Sequence, residues 1–558
     1  MKRISLRNPC VFFLILFLAL AAIYGMQWGA DTFLDYDDFL VIEPMREVRT
    51  LHQYISALFE GRVYDVQPIR DLVTWIDFSL LNWFHISVFH LTNLFIWIGA
   101  IFGLRKLVTF APEEKKNWLL AGILLIAVNP LYVTSVSWLS ARKHLLAACF
   151  IVWATYYFLE WFNQNKPEKK QLVYAHVFYV LAVFSQPMVI FWPIFAAGLM
   201  VLNGRSREWL KLVPLMLIMF GTAYLNSVYY ASAPYLKLSY GIPKISDPYN
   251  SILSIRLFAI GRYVFQVFIP YWTSLAIYSL SSWRGLTGIF LLPVSFYLFL
   301  KTSSKKITFL AYGFFILMLL PVVLRMTQIF GSDTYVITAS FGLFFLLVQA
   351  VYALFRRQQK LVAAVAVVLF GLMLSLSRER ASAFDNDVHA FGEAWRLEES
   401  AGTGEDYLHA LMHAKLTREA VWHAEAMLRL YPESATAQGV IAHAIENDPE
   451  LTPAQKIEKI YGYHFFNSYA LVILSDLEFT MKNYKNSEDL LIKALHALGW
   501  QNVIHGQQEH FAAKIYHRCL LAKDSDCDAK VDEVHQQTQF DWDEAQYQKE
   551  KADKNIAQ

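Results

Sequence analysis

The sequence predicts an all-α, polytopic membrane protein with a helical repeat domain at its C-terminal end. Three observations carry that expectation. Hydrophobic residues make up 56% of the 558-residue chain and charged residues 17%, where a soluble domain carries about 25%. Apolar runs recur at roughly the 17 to 25 residues an α-helix needs to cross a bilayer, and they stop near residue 377. Beyond that point Asp, Glu, Lys, His and Gln return at soluble density.

Taken in order, crossings are expected near 11–28, 86–104, 118–137, 145–162, 171–185, 187–202, 212–230, 286–300, 307–324, 334–355 and 360–376, about eleven in all. Lys2, Arg3 and Arg7 precede the first, and Ala19-Leu20-Ala21 mimics a signal-peptide cleavage site. Cleaved or retained, that segment leaves the next loop outside. Alternate loops then hold Arg105/Lys106/Lys115/Lys116, Lys166/Lys169/Lys170, Arg205/Arg207/Lys211, Lys301/Lys305/Lys306 and Arg356/Arg357/Lys360. All fall inside by the positive-inside rule. The scheme requires that 252–280 not cross completely, and Arg256, Arg262 and Pro270 fit a re-entrant or interfacial helix within an outer loop at 231–285.

The expected domains are a membrane module over 1–377, a linker over 378–400, a helical domain over 401–535 outside the membrane, and a polar tail over 536–558. In the helical domain Tyr407, Leu408, Leu411, Ala420, Ala424, Met427 and Pro432 fall at tetratricopeptide offsets, with further helix pairs near 434–462 and 467–498. A generic bundle of helical hairpins fits the same residues. Such a repeat stack offers an extended peptide a concave face, which implies an extracytoplasmic protein or peptide partner.

Lys+Arg and Asp+Glu nearly balance, for a net charge of +2, which excludes nucleic-acid binding through bulk charge. Four cysteines exclude a disulfide-built scaffold, and none has the spacing of a structural zinc site. Cys519 and Cys527 are close enough for a disulfide in an oxidising compartment, or stand as unrelated thiols. No asparagine sits in an Asn-x-Ser/Thr sequon, which leans towards a bacterial inner membrane; the loop alternation then puts the C-terminal domain in the periplasm.

The first outer loop, 29–85, contains Asp37-Asp38 within Leu34-Asp35-Tyr36-Asp37-Asp38-Phe39. Adjacent carboxylates repel, so near a low-dielectric surface one of them should hold its proton more tightly. It is then suited to general-base work or to binding a cation. A solvated acidic loop is the plain alternative.

From this motif onward the chain carries a series of patterns: YDDFLVI, QPIRDLVTWIDFSL, FHLTNLFIW, NPLYVTSVSWLSARKHLLAACFIVWATYYFLEW, FSQPMVIFWPIFAAGLMVL, IRLFAIGRYVFQVFIPYW and GSDTYVITASFGLFFLL. In this order the segments resemble the transmembrane-and-TPR O-mannosyltransferases, a branch of the GT-C glycosyltransferases. The resemblance implies an acidic catalytic base at Asp37 or Asp38 and a polyprenyl-phosphate sugar as donor, with no cofactor and a metal requirement left open. It places Arg142 and Lys143 at the donor phosphate, with Arg70, His90, Asn93, Asp333 and Tyr335 as further substrate contacts.

Several positions depart from that pattern. Gln67-Pro68-Ile69 stands where Arg-Pro-Leu is usual, Tyr132-Val133-Thr134 for His-x-Glu, and Ser185-Gln186-Pro187 for Ser-Lys-Pro. Asp333-Thr334-Tyr335 stands for Asp-Arg-Tyr, and Trp97 for a second His. Intramembrane ionisable groups are costly and are usually retained for a task, so losing several together implies a changed task. The expected function is glycosyl transfer to an extracytoplasmic acceptor, with protein O-glycosylation the first choice. The alternative is a catalytically silent scaffold that works through its repeats.

Overall fold

The computed structural model describes residues 6–28, 34, 38, 42–59, 67–85, 87–164, 168–232, 252–271, 283–325, 332–463, 467–498, 507–523 and 527. Helix accounts for 86%, and the described residues contain no strand. The chain divides into two compact units, with the boundary between Thr403 and Gly404.

The first unit runs through α1 (Pro9–Tyr24), α2 (Leu51–Phe59), α3 (Pro68–Phe84), α4 (Phe89–Leu107), α5 (Glu113–Ala127), α6 (Val133–Ser137), α7 (Arg142–Asn163) and α8 (Lys169–Ser185). It continues through α9 (Trp192–Leu202), α10 (Val213–Ser232), α11 (Ile252–Phe268), α12 (Trp283–Thr302), α13 (Lys305–Arg325), α14 (Ile337–Phe355), α15 (Gln359–Ser382) and α16 (Asp387–Leu397).

Eight described helices are long and apolar enough to cross a membrane: Pro9–Gln27, Phe89–Phe110, Leu139–Asn163, Ser206–Leu225, Trp283–Thr302, Lys305–Leu324, Asp333–Phe355 and Gln359–Asp385. Each matches an expected crossing. The other three expected crossings are interrupted or short, and proline explains each case. Around Pro130 the helix breaks and bends by 49° between Glu113–Ala127 and Pro130–Ser137, because Pro donates no hydrogen bond and disfavours helix before it. Asn129 caps the new start by accepting from the Leu131 N–H at 2.9 Å. Gln186, preceding Pro187, is likewise extended (φ −160°) and ends the 17-residue α8. The next helix, α9, has only 11 residues.

Among the described residues, the stretch expected as one outer loop holds the α-helices α2 and α3 and a 3-10 turn at Glu43–Glu47. Pro68 opens α3 with Asp71 in its first turn, and His85 closes it in the left-handed conformation at φ 54°. Phe78 of α3 joins Ile42, Met45, Val48, Tyr54, Ala57, Phe89 and Leu139 in a small apolar core. Burial pushes the Tyr54 phenol up to about 12, so it stays protonated. It donates to the Pro68 carbonyl at 2.5 Å.

Contacts separate the loops of this unit into two ends. At one end, Arg7 meets Glu113 at 2.9 Å, Lys115 lies over the Tyr352 ring, Phe110 packs on Tyr156, Arg205 donates to the Phe162 carbonyl, and Lys306 meets Asn203. These are the basic loops that charge counting puts on one side. Of the polar residues singled out from the sequence, Asp38, His90, Asn93, Arg142 and Asp333 lie towards the opposite ends of these helices.

Residues 378–400, expected to be a linker, are helical and built into the first unit. Ala381, Phe384, Ala390, Phe391, Ala394 and Leu397 are buried. Within α16, Ala390, Phe391, Ala394 and Leu397 fall at i, i+1, i+4 and i+7, the spacing of an amphipathic helix, hidden from composition by the charges between them.

In the second unit Leu408, Leu411, Ala420, Ala424, Met427, Leu491 and Ala494 are all buried between helices. Two of its hairpin turns share one construction. Lys415 and Lys482 are left-handed (φ 58° and 64°), and the N–H groups of the next residues, Leu416 and Asn483, return to the carbonyls of Leu411 and Glu478, each at 2.9 Å. That is a Schellman closure. Cys519 and Cys527 are joined by a disulfide, S–S 2.15 Å. The tail at 536–558 lies outside the described residues.

Candidate functional site

Asp37 lies outside the described residues. Asp38 is buried at 1% exposure, and its carboxylate receives the Ser140 N–H at 2.7 Å, the Ser140 hydroxyl, and the Leu34 N–H at 3.0 Å. The acidic motif is therefore anchored to the Ser140-Ala141-Arg142-Lys143 segment, over a hundred residues further along the chain. Three donors converging on one side chain make Asp38 a fixed anchor for that segment.

Arg142 opens α7 and is fully buried. Its Nε donates to Asn93 Oδ1 at 2.6 Å, and its terminal nitrogens reach Thr74 Oγ1 at 3.3 Å, the Phe89 carbonyl at 2.9 Å and Asp77 Oδ2 at 2.7 Å. Asp77 also accepts from Thr92 at 2.7 Å, and Asn93 donates to the Val136 carbonyl at 3.0 Å. One guanidinium thus ties α3, α4 and α7 together. Such a buried pair depends on close geometry and on the further hydrogen bonds around it, and Arg142 is committed to neighbouring protein groups. Lys143, next on α7, is half-buried. His90 is buried one turn before Asn93.

A second ionic group lies at the same end. Arg380, in the last turn of α15, donates to Asp333 Oδ2 at 2.7 Å and Thr134 Oγ1 at 2.9 Å. Gln266 of α11 donates to Asp333 Oδ1 at 2.6 Å. Asp333 and Gln266 are sealed from solvent, and Arg380 nearly so. Tyr335, two residues on and half-buried, packs against the His144 ring with centroids 5.2 Å apart. Arg70 is fully buried and pairs with its neighbour Asp71 at 2.7 Å.

Four of the substituted positions contact one another in pairs. Gln67 donates to the Gln186 side chain at 3.4 Å. Tyr132 packs against Trp97 with ring centroids 5.0 Å apart and planes tilted by 42°, and shares a hydrogen bond of 2.8 Å with Ser340. Thr134 belongs to the Arg380–Asp333 group. Four of the substituted positions thus meet in two neutral pairs, amide with amide and ring with ring.

Sequence reading missed Asp77, Gln266 and Arg380 as members of these groups. Arg380 carried a signal, a charge at the end of an apolar run, but it read as the start of a linker. Asp77 was one acid among many in a loop. Among the described residues no group of three or more His, Cys, Asp and Glu side chains is arranged to hold a metal ion. No protein-family model matches the chain, and neither a curated protein nor a solved structure does.

Proposed function

We propose that the chain transfers a sugar from a polyprenyl-phosphate donor to a hydroxyl of an extracytoplasmic acceptor, in the first instance a protein. The observation that carries this reading is the anchoring of Asp38 to Ser140, which joins the acidic motif to the Arg142-Lys143 segment as the resemblance requires. In the proposed reaction Asp37 takes the acceptor's proton, and the freed oxygen attacks the anomeric carbon with inversion. The bond from that carbon to the phosphate oxygen breaks, and the phosphate leaves as an anion. Lys143 supplies fixed positive charge beside it. Asp38 and Arg142 act as positioning residues, because their polar atoms are engaged by Ser140, Asn93 and Asp77. No cofactor enters the scheme.

The proposed setting is a bacterial inner membrane, with the basic loops cytoplasmic and the second unit periplasmic. The Cys519–Cys527 disulfide supports that side. The second unit, read as tetratricopeptide-like, presents or receives the acceptor chain.

A second reading is favoured by the Gln67–Gln186 and Trp97–Tyr132 pairs: a scaffold in which ionic chemistry has been replaced by packing. One experiment separates the two. Asp37→Asn should lower transfer by the roughly 10²- to 10⁴-fold typical of losing a general base while the protein accumulates normally. Glycans on extracytoplasmic proteins and the cellular phenotype are scored together. Full phenotype from Asp37→Asn, with no glycan change when the whole chain is deleted, removes the transferase; if deletion from residue 404 onward then abolishes the phenotype, the scaffold stands.

A further inference from the structure

Apart from the groups around Asp38, Arg142 and Asp333, two arginines from different helices converge on one carboxylate oxygen. Glu398 Oε2 lies 2.5 Å from an Arg262 terminal nitrogen on α11 and 2.7 Å from one of Arg284 on α12. Glycine creates the convergence. A Cβ on Gly261 would fall 2.2 Å from the Gly285 carbonyl oxygen, and one on Gly288 would fall 1.6 Å from that of Gly261. Only at bare backbone can the two helices cross this closely, and Arg262 follows Gly261 while Arg284 precedes Gly285. The two guanidiniums are therefore set side by side by the backbone itself.

The depth of the group is also fixed. Arg284 is the second residue of the candidate span Trp283–Thr302, and Trp283 is 54% exposed beside it. An exposed Trp next to Arg at the end of an apolar span marks the headgroup level of a bilayer. Arg284 retains 15% of its side-chain exposure, so the group is reached from that level, whereas Arg262 is sealed behind it. Glu398 is the first residue past α16, with its own backbone outside helical geometry. Its side chain can swing away without unwinding the helix.

We propose that Arg262 and Arg284 form a binding site for a phosphate ester at headgroup depth, and that the Glu398 carboxylate is its resident occupant, standing where a phosphate oxygen would sit. Two forked guanidiniums match phosphate geometry better than they match a single carboxylate oxygen. A ligand phosphate accordingly displaces Glu398. This site does not depend on the transferase reading.

The test uses the full chain in uncharged detergent, with thermal unfolding followed as phosphatidylglycerol, polyprenyl phosphate, inorganic phosphate or phosphatidylcholine is added. Glu398→Gln removes the competing charge, so the concentration of anion for half-maximal stabilisation should drop on the order of tenfold relative to wild type. Adding Arg262→Gln to that variant should abolish the gain. A response to the phosphatidylglycerol or polyprenyl phosphate arm that inorganic phosphate does not reproduce identifies a lipid as the source; an equal response to inorganic phosphate identifies a soluble ester or ion at the same site. An unchanged half-point in folded Glu398→Gln for every anion overturns the proposal. Should that variant fail to accumulate, Arg284→Gln, at the more exposed partner, is read instead. It must need a higher concentration than wild type of at least one of phosphatidylglycerol, polyprenyl phosphate and inorganic phosphate for half-maximal stabilisation, and unchanged half-points for all three overturn the site.

Discussion

Arg142 and Asp77 meet at 2.7 Å with neither side chain more than 2% exposed. The pair assigns Arg142 to holding α3 against α4 and α7. Removing one partner of a buried pair leaves an uncompensated charge, at a cost of about 3–5 kcal/mol. Asp77→Ala should therefore lower the amount of folded protein in the membrane sharply. Replacing both, as Asp77→Leu with Arg142→Met, should recover most of it, because an apolar pair avoids the desolvation penalty. Abundance and thermal midpoint of the three variants in detergent measure this. If the double variant is no better than the single, Arg142 has a further role.

The crossing of α11 and α12 gives a contrast between glycines. Gly288→Ala has no room and should cost at least the 1–3 kcal/mol typical of overpacking. Gly313 and Gly371, also within apolar helices, have nothing within 4 Å of an added Cβ. Alanine at those positions should be neutral or stabilising by roughly 0.5–1 kcal/mol. A tolerated Gly288→Ala would mean that the helices separate easily, and the Arg262–Arg284 arrangement would lose its support.

Sidedness can be tested through the basic loops. A reporter fused at residue 210 should give a cytoplasmic signal, and one fused at residue 400 a periplasmic one. Two cytoplasmic signals would mean that the segment containing α11 crosses the membrane completely, and would move the second unit to the other side.

The second unit should weaken in mild acid. Burial holds His423 and His409 below the usual 6.5; a hydrogen bond with the Gly404 backbone and the nearby Glu405, respectively, oppose the shift. The unfolded chain then binds more protons than the folded one once pH falls below about 6.5. The contribution to stability is thus complete above that pH and is lost progressively below it. Hydrogen exchange across the helix Thr417–Leu430, compared at pH 7.5 and 5.5, should show faster opening in acid, and His423→Gln should flatten the difference. Equal protection at both pH values would exclude these histidines as the cause.

Much of this protein is determined by local sequence. The apolar runs, the break before Pro187 and the alternation of basic loops are set by residues within one helix length, so composition and spacing suffice to read them; the break at Pro130 is equally local but lies inside what reads as one crossing at 118–137. The Cys519–Cys527 bridge belongs to the same class, since the two cysteines stand eight positions apart in the chain. The helical character of 378–400 was legible in principle at Ala381, Phe384, Ala390, Phe391, Ala394 and Leu397, but charge density concealed it. Tertiary structure alone decided which charges neutralise each other. Arg142 selects Asp77 from a loop crowded with acids, Arg380 selects Asp333, and Glu398 receives Arg262 and Arg284. It also decided that Gln67 and Gln186, or Trp97 and Tyr132, are neighbours. Each of these contacts joins segments far apart in the chain, and the cost of leaving a charge unpaired away from water selects the partner only once packing has brought the helices together.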